Sequence, residues 1–209
     1  MINAEILEYC MQQSDSDSSY LRSLAEHTQK TEEFAQMISG NMVGHVLQTL
    51  IRLSGAKQII EVGTFTGYSA LKMAEALPPD GHITTCELLE KHVETAGNFF
   101  KDSDYAEQIT ILEGPALETL QTLSAGQFDM GFIDANKSDY PQYYKLCITL
   151  LKQNGVLVLD NMLWSGTVLD PQDNDSKILR ATADLIQDDP RVFNFLLPVR
   201  DGLMICIKK

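Results

Sequence analysis

From Lys57 onward the chain alternates short apolar, β-branched runs with longer amphipathic ones, and this alternation restricts the fold more than any other feature. Strand-like runs occupy Gln58–Val62, His82–Glu87, Ile109–Glu113, Phe128–Ile133 and Val156–Leu159. Helical spacing fills Tyr68–Ala76, Leu89–Lys101, Ala116–Leu123, Tyr140–Leu151 and Ser176–Gln187. Strands alternating with helices predict a parallel sheet wound on both faces. The ending differs, because Phe193–Val199 and Leu203–Ile207 are joined by only a few residues around Asp201-Gly202. That is too short for a crossover helix, so these two strands should pair antiparallel. The expected fold class is α/β, a doubly wound, mostly parallel seven-stranded sheet with a C-terminal antiparallel hairpin.

Ahead of this core the sequence reads as helical, with Ser14–Ser19 a Ser/Asp loop between two N-terminal helices and Thr28–Phe34 carrying helix-forming polar residues. Met42, Val43, Val46, Leu47, Leu50, Ile51 and Leu53 recur at helical spacing and should bury one face, with His45 a partly exposed structural residue of that helix. We expect one domain over 1–209, with a helical segment at 1–55 and the α/β core at 56–209. The 44% hydrophobic and 22% charged composition is that of a soluble globular protein. A net charge of −13 without any Lys/Arg cluster argues against nucleic acid as a partner. Glu5 and Glu8 replace a basic targeting segment, and no run approaches the roughly 20 apolar residues of a membrane span, so a cytoplasmic protein with no membrane partner is expected. Cys10, Cys86, Cys147 and Cys206 form no CxxC pair and are expected to be small buried hydrophobes.

Chemistry-bearing residues sit where the strand-like runs end, which in an open α/β sheet is where ligands bind. Glu61-Val-Gly-Thr-Phe-Thr-Gly-Tyr-Ser69 follows a strand and opens a helix, so Gly63 and Gly67 can let a ligand approach the backbone. The three-glycine dinucleotide pattern fails at Phe65, which would crowd a pyrophosphate. Glu87 ends the next strand 24 residues after Gly63, a spacing that suits a carboxylate on a ribose diol. Together these predict an adenosine-containing ligand without a diphosphate, with Glu113-Gly-Pro-Ala116 offering a small residue at the same rim. Ile133-Asp-Ala-Asn-Lys137 and Leu159-Asp-Asn161 each put a carboxylate after a buried strand, an oxygen-rich set that suits a hard divalent cation. Taken singly, such Asp and Asn residues also serve as turn formers and helix caps, and Lys137 as an exposed partner of Asp139.

These motifs, in this order and together with Asp160-Asn-Met-Leu-Trp-Ser-Gly166 and Leu197-Pro-Val-Arg-Asp-Gly202, resemble the cation-dependent O-methyltransferases of the caffeoyl-CoA and catechol type. The resemblance runs from about Met37 to the C-terminus and implies the Rossmann-like class I methyltransferase sheet. It implies that the metal, Mg²⁺ first and Mn²⁺ or Ca²⁺ as alternatives, is held by Asp134, Asp160 and Asn161. It further implies that the methyl donor, S-adenosyl-L-methionine, is contacted by Ser39, Glu61, Gly63, Thr64, Ser69, Glu87 and Ala116, with Asp134 and Asn136 near its amino-acid end. Lys137 takes the place of the proposed general base, Asp134 joins it in catalysis, and Trp164 and Ser165 border the acceptor ring. A homodimer is implied as well. The sequence departs from the plant pattern at Asn136, Ser39, Asn41-Met-Val-Gly44 and Arg200, and also between Gly166 and Ser176, where the difference from the plant acceptor-binding segment argues against coenzyme-A thioester acceptors.

The chemistry explains why these groups belong together. A phenol of pKa about 10 is ionised in roughly one molecule per thousand at neutral pH. A Lewis acid across two adjacent hydroxyls lowers that pKa and orients the ring, so a catechol-like small molecule is the natural acceptor. The rival readings are a nicotinamide oxidoreductase on a similar sheet, a non-catalytic S-adenosylmethionine-binding protein and a nucleic-acid base methylator.

Overall fold

Seven strands form one sheet of order β3-β2-β1-β4-β5-β7-β6 in the computed structural model, which describes residues 3–209. β1 (Gln58–Val62), β2 (His82–Glu87), β3 (Ile109–Glu113), β4 (Phe128–Ile133) and β5 (Leu151–Leu159) run parallel. β7 (Leu203–Lys208) lies antiparallel between β5 and β6 (Val192–Leu197), so six strands share one direction and β7 opposes them. The chain steps outward from β1 to β2 and β3, then returns to the other side of β1 at β4. That reversal opens a crevice above the carboxyl ends of β1 and β4.

Alternation along the strands separates two cores. Ile59, Met130, Phe132, Val156 and Val158 face a layer that includes α2 (Ser19–Thr31), α3 (Gly40–Ser54), α4 (Tyr68–Ala74) and α5 (Glu90–Lys101). Ile60, Val62, Ile133, Leu157 and Leu159 face α7 (Tyr140–Leu150) and α8 (Asn174–Gln187), with the single-turn α6 (Ala116–Thr119) at the margin. Strand side chains alternate faces, and each such buried apolar side chain contributes about 1.5–3 kcal/mol. α1 (Ala4–Gln12) precedes this layered body.

Where the elements depart from expectation, local chemistry accounts for it. β5 begins at Leu151, before the expected Val156, because Leu151 already pairs with Phe128; the register then slips before Met130, and Asn154 turns to φ +64. Such an irregularity hides the alternation in Lys152–Gly155. β6 stops at Leu197, since Pro198 has no N–H to continue the ladder. α8 starts at Asn174 because the Asp173 carboxylate caps it, accepting from the Ser176 N–H at 2.9 Å. α6 gives way to a 3₁₀ turn over Leu120–Thr122, and α2 ends at Thr31, with only a 3₁₀ turn at Ala35–Met37 beyond it. Cys86, Cys147 and Cys206 are buried, but Cys10 is exposed on α1, contrary to the expected burial. His45 is partly buried, with Nδ1 2.9 Å from the Asn41 carbonyl one turn earlier.

Candidate active site

A cavity of about 800 Å³ lies over the carboxyl ends of the central strands. Its first half is built by the β1 and β2 ends. Gly63 has φ +101, and a Cβ there would stand 2.3 Å from the Asp134 carbonyl oxygen, so only glycine lets the β1 and β4 loops touch. Gly67, at φ +95, precedes α4, and a Cβ on it would meet the Phe100 ring at 2.6 Å. Glu87 lines the cavity with its carboxylate fixed by backbone. Oε2 accepts from the Phe65 N–H at 2.8 Å, and Oε1 accepts from the Leu88 and Leu89 N–H groups at 3.0 Å each. Leu88 and Leu89, 61% and 52% exposed, stand with Pro115 and Ala116 as apolar walls beside it. Thr64 and Ser69 also line this half.

Glu61 does not. It is fully buried and lies behind the lining, where its Oε2 accepts from the Thr85 hydroxyl at 2.5 Å while Oε1 has no partner. Thr85 has one proton to give, so the Thr64 hydroxyl, 2.6 Å away, donates to Thr85 when Glu61 accepts. Burial pushes the Glu61 carboxyl up to about 7.

The second half gathers the β4 and β5 ends. The Asp134 N–H donates to the Val62 carbonyl at 2.9 Å and the Asp160 N–H to the Ile133 carbonyl at 3.0 Å, which sets the two carboxylates on neighbouring strand ends. Asp134 Oδ2 accepts from the Ser39 hydroxyl at 3.2 Å and Oδ1 from Lys137 Nζ at 3.2 Å. Asp160 is fully buried; its Oδ1 accepts from the Asn161 N–H at 2.7 Å, and its Oδ2 has no partner. Burial, and then the Asp134 charge, raise the Asp160 pKa above the usual carboxylate range. Asn161 lines the cavity at φ +61, its amide nitrogen 3.5 Å from Asp201 Oδ2. This corner therefore offers two carboxylates and an amide; among the described residues no group of three His, Cys, Asp or Glu side chains forms a metal cage.

Lys137 is not the exposed partner of Asp139. Its Nζ reaches the Tyr140 hydroxyl at 2.7 Å as well as Asp134, and stands 5.8 Å from the Trp164 ring centroid. Asp139 instead takes the Asn136 amide at 2.6 Å, while Tyr143 donates to Asn136 Oδ1 at 2.6 Å, so the Asn136 side chain is occupied by its own neighbourhood. Trp164 lines the cavity; Ser165 does not, and its N–H is held by Asp201 Oδ1 at 2.5 Å.

Several residues at this site escaped the sequence reading. Tyr140 is fully buried, donates to the Asp160 carbonyl at 3.1 Å and accepts from Lys137, a role signalled only by its place three residues after the lysine. Behind the glycine loop, the buried Lys72 reaches Asp17 at 2.8 Å, and the Tyr68 hydroxyl donates to the same carboxylate at 2.7 Å. A lone charged residue in the otherwise uncharged Tyr68–Ala74 helix was the available signal. Among the described residues, six non-glycine residues have positive φ, and Phe65, Asn161, Trp164 and Arg200 of these line the cavity. Backbone strain of this kind concentrates at functional sites.

The sequence pattern of one family, described as O-methyltransferase, matches residues 11–209. The chain belongs to the O-methyltransferase family. It is 35% identical over 207 residues to the mouse catechol O-methyltransferase domain-containing protein 1, covering 96% of this chain and 79% of that one. It is 38% identical over 176 residues to the caffeoyl-CoA O-methyltransferase of Mesembryanthemum crystallinum, covering 78% and 69%. The crystal structure of a methyltransferase of Podospora anserina bound to SAH superposes with a TM-score of 0.91 at 30% identity, covering 100% of this chain and 97% of that one. Membership sets aside the oxidoreductase and base-methylator readings: this O-methyltransferase carries its family's seven-stranded sheet with the terminal hairpin.

Proposed function

We propose that this O-methyltransferase moves the methyl group of S-adenosylmethionine to one hydroxyl of a catechol-like aromatic diol, with a divalent cation held by Asp134, Asp160 and Asn161. The observation that carries this reading is the buried Asp160 oxygen without a partner, next to a second carboxylate at the edge of a cavity large enough for two ligands. Two neighbouring carboxylates and an amide are hard oxygen ligands, and they fit Mg²⁺, with Mn²⁺ and Ca²⁺ as alternatives. When bound there, such an ion supplies Lewis acidity that lowers a hydroxyl pKa and fixes two adjacent oxygens.

The protein's own residues do the rest. Glu87, held by three backbone N–H groups, keeps its remaining acceptor capacity for a ribose diol. Leu88, Leu89, Pro115 and Ala116 give an adenine ring apolar cover, and Gly63 lets the donor approach the backbone. Ser39, Thr64 and Ser69 border the donor, with Asn136 and Asp134 toward its amino-acid end, while Glu61 acts from behind through Thr85 and Thr64. Lys137 takes the place of the general base for the attacking hydroxyl, oriented by Tyr140. Trp164 borders the acceptor ring, and Ser165 follows it just outside the lining. The relatives' names, catechol O-methyltransferase domain-containing protein 1 and caffeoyl-CoA O-methyltransferase, support the acceptor class, and the SAH held by the Podospora methyltransferase supports the donor.

A cytoplasmic homodimer is part of the same proposal. Phe193, Phe195 and Ile207, 59%, 51% and 37% exposed, form an apolar face on the edge hairpin that a second copy would cover. The four free thiols suit a reducing compartment, and no helix among the described residues is long and apolar enough to cross a membrane. The test is incubation with S-adenosylmethionine and a panel of catechols, flavonoids and hydroxycinnamoyl thioesters, with and without a chelator. Methyl mass gain on catechols that the chelator abolishes is expected; methylation insensitive to the chelator contradicts the cation.

A further inference from the structure

Arg200 stands in the β6–β7 turn at φ +51, a conformation that glycine adopts freely and a side chain adopts at a cost. Its contacts show what holds it there. Nη1 donates to the Ser39 carbonyl and Nη2 to the Gln36 carbonyl at 3.2 Å, across 161 and 164 residues of sequence. Gln36 to Ser39 form the N-terminal wall of the cavity. That wall belongs to no strand, and its own backbone bonds are local, from the Met37 N–H to Phe34 and from the Ile38 N–H to Ala35. The neighbouring residue, Asp201, grips the other side: its carboxylate takes the Ser165 N–H at 2.5 Å and the Asn161 amide at 3.5 Å. Two consecutive residues of one turn thus hold opposite sequence segments that meet at the Asp134–Asp160 corner.

We propose that Arg200 is a positioning residue that fixes the wall 36–39 and thereby the width of the cavity where donor and acceptor meet. This rests on the reading of the site given under Proposed function. Ser39 links the wall to Asp134 through its hydroxyl, so a loosened wall changes how donor and acceptor are held together at the carboxylates while leaving the Glu87 half untouched. The two roles open to Arg200 separate cleanly in an Arg200→Gly variant. Glycine relieves the positive φ, which offsets the lost bonds in overall stability, but it releases the wall.

The experiment combines hydrogen exchange with kinetics on wild type, R200G and R200K. In R200G the Met37 and Ile38 amides should exchange roughly tenfold faster, with β1 and α4 unchanged. The donor KM and the acceptor KM should each rise about fivefold, with kcat within about twofold. R200K, able to reach one carbonyl at a time, should fall between. Unchanged exchange at Met37 and Ile38 overturns the proposal, and so does faster exchange spread over the whole sheet, which would mark a general staple of the fold. If wild type methylates no acceptor, the function proposed above fails, and the exchange comparison still decides the role of Arg200.

Discussion

At the end of β2 the Glu87 carboxylate accepts three backbone N–H bonds, whereas at the end of β5 the Asp160 carboxylate accepts one and keeps a buried oxygen without a partner. Both acids terminate parallel strands of one sheet and both are nearly or fully buried, so position in the fold does not explain the difference. The first is complete within the protein: its charge is balanced by N–H dipoles that need no ligand. The second sits beside Asp134 and is strained electrostatically, since like charges at short range in a poorly solvated corner raise each other's energy. On the proposed reading, the donor half is preformed and the acceptor half is completed by a cation.

The largest effect that can break this contrast is on turnover. Asp160→Ala should lower metal-dependent methyl transfer roughly a thousandfold, while calorimetry shows donor affinity almost unchanged; an equal loss of donor affinity would merge the two halves. Next comes the pH dependence of stability, which isolates the third buried acid. The Glu61 carboxyl is raised to about 7 by burial. A raised folded-state pKa gives stability that is full below the unfolded value near 4.5 and lost as pH rises through about 7. The loss is on the order of 3 kcal/mol. Denaturant titrations of wild type and Glu61→Gln across this range should diverge by that amount as pH rises, and parallel curves would show that the carboxyl is solvated. Lys137→Ala should then reduce kcat roughly a hundredfold with little change in acceptor KM, and an unchanged kcat at every pH would remove the base role. Smallest is Ser39→Ala, which deletes one hydrogen bond to Asp134 at the donor's amino-acid end and should cost about 1 kcal/mol in donor binding, read by calorimetry, with kcat little changed.

β1 to β4 begin and end where the sequence suggests, because short runs rich in β-branched and apolar residues between polar turns mark strands. β5 was legible only from Val156, since the slipped register at Leu151–Gly155 carries no alternation. Asp134, Asp160, Asn161 and Lys137 were legible for a similar reason, each standing just past an apolar strand. What the sequence conceals is contact across the chain. Nothing near Arg200 points to Gln36 or Ser39, and nothing near Asp17 points to Lys72. Glu61 shows the converse: its place before Gly63 suggests ligand contact, but strand alternation turns it into the buried layer behind the lining.

The most direct measurement is a Mn²⁺ titration followed by electron paramagnetic resonance in the presence of S-adenosylmethionine, on wild type and Asp160→Ala. One saturable site per chain in wild type, lost in the variant while the donor still binds, is the result expected if Asp134, Asp160 and Asn161 share an ion beside the donor. No saturable site in wild type, or a site that survives the loss of Asp160, would contradict it.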